Sequence, residues 1–252
     1  GVFVIDGGGT DAISAAGQSQ GVTLDLREGQ QSFIGATSDL VSAPGQLAIS
    51  ANTEIEIAIG GAGDDRLIGN GLDNRLEGGA GADRIFAGGG ADTVLGGPGS
   101  DVVDLSEVAA SPDTVVFDPA DAGADLVYGF EQGVGGDVIE VVGAAVEDLL
   151  DVVSADRVPE AFVQGHVLRL TDAVLETAAE VETAFADGGA FEALEIAAGG
   201  AAIVIAAASQ ATGEMQALFH VETGADGLQA ARLAQLEGNA LDIDSWQASN
   251  FA

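Results

Sequence analysis

The sequence predicts a mainly β chain that ends in a smaller α+β domain. Three observations carry this. Short apolar runs alternate with Gly-rich and polar turns over residues 1–143. A strict nine-residue period occupies 60–104. After about residue 144 glycine thins and alanine rises.

The elements follow in chain order. Val2-Phe3-Val4-Ile5 precedes Gly7-Gly8-Gly9, and Val22-Thr23-Leu24-Asp25-Leu26 follows, so strands are expected over 1–59. The periodic segment comes next. A strand-rich cap over 105–143 is read from Thr114–Phe117, Asp125–Tyr128 and Asp137–Val141. Beyond it, Ala144–Val153 and Thr171–Ala186 are expected to be helices, the second because Val174, Ala178, Val181 and Phe185 fall at helical spacing. Later strands are expected at His166–Leu170, Ala201–Ala207 and Gln216–Val221. Gly224-Ala225-Asp226-Gly227 reads as the turn of a hairpin that ends near Leu236. The expected domains are 1–143 and 145–252.

Charge restricts the partners. Of 252 residues, 41 are acidic and 7 are Lys or Arg, a net charge of -34 that repels itself in a compact state. Binding to nucleic acid or anionic lipid through surface charge is excluded, since both need a basic patch. Cations are favoured instead. With 0 Cys there is neither a disulfide nor a thiolate metal site. The longest apolar run, Ala201–Ala208, falls far short of the roughly 20 residues that span a bilayer. No signal-peptide pattern opens the sequence. Met215 is its single Met, so Gly1 is expected not to be a translation start and the chain is expected to be processed or part of something longer.

The periodic rows are GGAGDDRLI (60–68), GNGLDNRLE (69–77), GGAGADRIF (78–86), AGGGADTVL (87–95) and GGPGSDVVD (96–104). The sixth position is Asp65, Asn74, Asp83, Asp92 and Asp101. The eighth is always aliphatic: Leu67, Leu76, Ile85, Val94 and Val103. These rows resemble the RTX nonapeptide G-G-x-G-x-D-x-U-x, and the resemblance implies a calcium-binding parallel β-roll. In such a roll each repeat is a six-residue turn and a three-residue strand, with the eighth residue facing inward. Two repeats complete a coil, so repeat n stacks on n+2. That pairs Asp65 with Asp83, Asn74 with Asp92, and Asp83 with Asp101. Two such carboxylates plus turn carbonyls make an oxygen cage suited to Ca²⁺ rather than Mg²⁺, which keeps its waters. The second- and fourth-position carbonyls are expected to contribute: Gly61 and Gly63, Asn70 and Leu72, Gly79 and Gly81, Gly88 and Gly90, Gly97 and Gly99. Asn74 removes one charge and is expected to weaken its site. Five aliphatics make a thin core, so metal binding is expected to carry the folding free energy of several Ca²⁺ sites. A Gly-rich linker without metal would have no reason to keep an aliphatic at every ninth position.

The flanks 2–13, 24–31 and 53–70 resemble the C-terminal, non-catalytic domain of serralysin-type metalloproteases, over residues 1–142. That resemblance implies further calcium ligands in the D-x-G-G-x-D turn, Asp6, Gly8, Gly9 and Asp11, and at Glu56. Glu54, where the family often has Thr, would ligate through its carbonyl. Asp125, Phe130 and Asp137 fit a loose version of the family's cap pattern.

Catalytic signals are missing. There is no H-E-x-x-H, G-x-S-x-G or P-loop. His166 and His220 are the only histidines, both in strand-like runs. Phe117, Tyr128 and Phe130 are expected to plug the open end of the roll, and Trp246 and Phe251 to belong either to an export signal or to a packed terminal helix. The chain is therefore expected to be non-enzymatic. It resembles RTX proteins, which leave the cell unfolded through the type I secretion machinery and fold on meeting calcium outside. Two other classes remain open. One is the tail of a secreted metalloprotease. The other is a calcium-rigidified surface, S-layer or adhesin protein that self-assembles or holds a surface partner, and the unmatched 145–252 favours it.

Overall fold

A computed structural model describes residues 2–35, 45–109, 111–121, 123–132, 135–142, 148–153, 166–186, 189, 201–207, 215–224, 227–237, 246–247 and 250–251. The fold is mainly β, with a single helix among the described residues. The chain forms two compact units: residues 1–117 with 121–129, and residues 118–120 with 130–252.

The first unit holds β1 (Val2–Val4), β2 (Ala12–Ser14), β3 (Val22–Asp25), β4 (Gln31–Ile34), β5 (Gln46–Ile49), β6 (Ile57–Ile59), β7 (Arg66–Ile68), β8 (Arg75–Glu77), β9 (Arg84–Phe86), β10 (Thr93–Leu95), β11 (Val102–Asp104), β12 (Thr114–Phe117) and β13 (Asp125–Tyr128). Each nonapeptide ends in one three-residue strand, as the repeat predicts. From β6 to β13 successive strands alternate between two parallel ladders. One runs β2-β6-β8-β10-β12 and the other β3-β7-β9-β11-β13. The centre of each strand faces inward because side chains alternate along it. Ala58, Leu76, Val94 and Val115 therefore stand in register on one side, and Leu24, Leu67, Ile85, Val103 and Val127 on the other, all buried. The ladders extend past the periodic rows at both ends, to β2 and β3 before them and to β12 and β13 after. Beside β3, β4 pairs antiparallel with both β3 and β5, and β1 adds parallel to β5.

Close backbone stacking selects glycine. Gly97 has φ +98° and a Cβ there would run into the carbonyl of Gly79, two repeats earlier. A Cβ at Gly96 would meet Oδ2 of Asp101 in its own turn.

The second unit holds β14 (Val138–Val141), β15 (Asp148–Val153), β16 (His166–Val174), α1 (Ala178–Phe185), β17 (Ala201–Ala207), β18 (Met215–Gly224) and β19 (Gly227–Glu237). β15, β16 and β17 pair parallel, and β17-β18-β19 continue antiparallel. Gly224 pairs with Gly227, as the hairpin reading expects; turn residues 225–226 lie outside the described residues.

Both helix expectations need correction. Residues 148–153 are β15, and 144–147 lie outside the described residues. The second helix is confined to α1, because the backbone through Val174 is drawn into the sheet beside β17. Its start is set by a capping box, with Thr177 accepting from the Glu180 N–H and Glu180 returning a bond to the cap. α1 turns Val181 and Phe185 onto Leu170, Val204, Phe219 and Val221.

Phe117 and Phe130 are buried, but Tyr128 is exposed, standing at the outward end of β13. Trp246 and Phe251 are buried and stack at 5.2 Å, with Phe130 5.3 Å from Trp246. Phe251 bridges Ile139, and no helix spans the described residues here.

Candidate metal centre

The sixth-position residues form two internal columns of hydrogen bonds. In one, the Asp65 N–H donates to Asp83 Oδ1 (2.7 Å), the Asp83 N–H to Asp101 (2.8 Å) and the Asp101 N–H to Asp125 (3.0 Å). In the other, the Asn74 N–H donates to Asp92 (2.7 Å) and the Asp92 N–H to Asp113 (2.9 Å). The structure thus brings together each pair that the repeat predicts. It adds Asp113 and Asp125, each two residues before an inward aliphatic, where the spacing lengthens from 9 to 12. Asp64 and Asp73, at the fifth position, make a similar outer bond to the N–H groups of Ala82 and Ala91.

These columns leave carboxylate oxygens without partners. Oδ2 of Asp83, Asp92 and Asp101 is buried with no hydrogen bond, and the three residues are only 1–2 % exposed. A buried anion that lacks a partner is costly. Burial accordingly pushes the carboxyl of Asp83 up to about 7, that of Asp92 to about 8 and that of Asp101 to about 7. Backbone N–H donors oppose the rise and neighbouring carboxylates add to it. Burial raises Asp125 to about 6 in the same way. An oxygen-seeking cation meets this demand directly. Among the described residues no three acidic or histidine side chains converge, so main-chain oxygens must complete any cage. The carbonyls of Gly61 and Asn70 each accept one N–H from the turn two repeats on, at 3.0 and 2.9 Å, and keep a second lone pair. The donor set is all oxygen, which fits Ca²⁺.

The turns are not equivalent. Gly79 and Gly81, Gly88 and Gly90, and Gly97 and Gly99 all have positive φ, whereas Gly61, Gly63, Asn70 and Leu72 do not. Asp65 has both oxygens bonded, to the N–H groups of Val22 and Gly61. Asn74 contributes to its pair with Asp92 through its backbone N–H, not its side chain, whose oxygen accepts from Asn70.

The N-terminal cluster also assembles. Gly8 N–H donates to Asp6 (2.7 Å), and Asp11 N–H to Glu56 Oε2 (2.9 Å). Gly9 lies beside Asp11, whose Oδ2 is buried without a partner. Backbone donors hold Asp6 below the usual carboxylate range, while burial and then the Asp6 charge raise Asp11. The side chain of Glu54 stays exposed. His220 lies in β18, where burial lowers its pKa.

No curated protein matches the chain. A family model described as the RTX calcium-binding nonapeptide repeat (4 copies) matches residues 50–71 and 68–103. The matched stretch is the one whose turns stack carboxylate on carboxylate, and the repeat is a calcium-binding element rather than a catalytic one. Residues 50–103 therefore carry RTX repeats, and Ca²⁺ is the ion they bind.

Proposed function

We propose that the chain is the calcium-dependent folding module of a secreted bacterial protein, with 145–252 as a distinct α+β domain. The carrying observation is the set of buried Oδ2 atoms on Asp83, Asp92 and Asp101 that have no hydrogen-bond partner. At low calcium these oxygens and the net charge of -34 oppose compaction. Export through type I machinery then delivers an extended chain to millimolar calcium, where the cations close the coils and folding opposes return. Folding is thereby linked to binding. Circular dichroism of the whole chain with calcium and with EGTA tests this. At neutral pH the expected result is β-structure and a raised melting temperature only with calcium. An EGTA form already fully β-structured, with unchanged melting, sinks the proposal.

A second reading rests on the joined Asp6, Asp11 and Glu56 cluster, which supports the serralysin-like resemblance. In it this chain is the non-catalytic part of a secreted metalloprotease. An H-E-x-x-H motif in the sequence upstream decides for it, and its absence there decides against.

A further inference from the structure

The turn Gly69–Asn74 meets its neighbour differently from the later turns. Its second and sixth positions are Asn70 and Asn74, where the later turns have Gly and Asp. The Asn74 amide is oriented by its bonds. Oδ1 accepts the Asn70 N–H at 2.7 Å, which turns Nδ2 towards the carbonyls of Glu56 (3.2 Å) and Ile55 (3.4 Å). Asn70 is oriented the same way. Its Oδ1 accepts the Leu72 N–H at 2.9 Å, and its Nδ2 lies 2.7 Å from the Ile55 carbonyl and 3.4 Å from that of Leu26.

A cation and an N–H group compete for the same thing, the lone pairs of a carbonyl oxygen. Here two amide nitrogens already hold the carbonyls that face the turn. No side-chain atom of Asn70 or Asn74 is left without a partner, in contrast to Oδ2 of Asp83, Asp92 and Asp101. The residues at this step do not fit a cation.

We propose that the step between Glu56 and the Gly69–Asn74 turn is closed by the side-chain amides of Asn70 and Asn74 in place of a calcium ion. This inference rests on the reading of the later turns as calcium sites. It gives the roll one joint that needs no metal, next to the strands β1 to β5, while the joints beyond it depend on the ion. An Asp at 74 would set a carboxylate against the Ile55 and Glu56 carbonyls, an all-oxygen arrangement that is stable only with a cation between them.

The test counts calcium ions bound per folded chain, by native mass spectrometry of the full chain in saturating calcium. Circular dichroism checks folding. N70G/N74D, which restores the residues of the later turns, is expected to bind one ion more than wild type. N74A, which removes the donor without adding a ligand, is expected to keep the wild-type count and melt at a lower temperature. An unchanged count in folded N70G/N74D overturns the proposal, and so does loss of an ion in N74A. Should N70G/N74D fail to fold, N74A alone decides by the same criterion. A wild-type chain that binds no calcium at all refutes the calcium reading itself, a different result from either.

Discussion

Ile85 offers the sharpest test of folding linked to calcium. It is fully buried at the centre of β9, between Leu67 of β7 and Val103 of β11. Truncating a buried Ile to Ala costs about 2–5 kcal/mol, and ~3 kcal/mol suits a core one residue wide that relaxes little. Within the repeats, three described carboxylates carry a buried oxygen without a partner: Asp83, Asp92 and Asp101. If folding binds one cation for each of them cooperatively, the loss divides to ~1 kcal/mol per ion. That corresponds to roughly a five-fold rise in the calcium concentration at half-folding. Ile85→Val, at about 0.5–1.5 kcal/mol, should move the midpoint about two-fold or less. The assay is far-ultraviolet circular dichroism along a calcium titration buffered with EGTA. A wild-type midpoint for Ile85→Ala, or equal midpoints for the two variants, refutes the linkage of core and ion.

Three other perturbations give independent checks. In EGTA the stability of the folded chain should fall as pH rises from about 4 to about 8: Asp83, Asp92 and Asp101 are held above their unfolded value, so the folded state binds more protons in that window. The β-sheet circular-dichroism signal in EGTA at the two ends measures this; Asp92→Asn should flatten the change, and a signal that grows with pH contradicts it. Gly97→Ala should cost about 1–3 kcal/mol through its positive φ and the Gly79 carbonyl, whereas Gly17→Ala, which meets nothing within 4 Å, should change the calcium-loaded melting temperature little. Asn250→Ala should cost about 1–3 kcal/mol, because the Asn250 amide donates to the Asp137 carbonyl at 2.8 Å in a buried site. The emission of Trp246, the only Trp, reports that loss in urea, and an unchanged midpoint counts against it.

The roll was legible because its two requirements sit at fixed offsets. An inward aliphatic and a stacking carboxylate recur two residues apart, and no other pattern competes for them. Asp113 falls outside the nine-residue period because the turn before it is three residues longer, even though Val115 follows at the usual offset. The sequence makes Asn74 a weakened ligand, since it gives the charge of the side chain but not where its amide points. The helix expectations failed for another reason. Val174, Ala178, Val181 and Phe185 fit a helical face, yet the pairing of Val174 with Ala207 keeps the first of them in a strand. Periodicity describes one face of an isolated segment, and a neighbouring strand outweighs it.

The two-ladder arrangement also limits how such a chain can change length. Within the nonapeptide rows, residues that stack lie eighteen positions apart, so gaining or losing two nonapeptides adds or removes a whole rung and leaves everything downstream in phase. A single nonapeptide sends every later segment to the opposite wall, and β12 and β13 would have to exchange places. Arrays built this way should therefore vary most readily in steps of two.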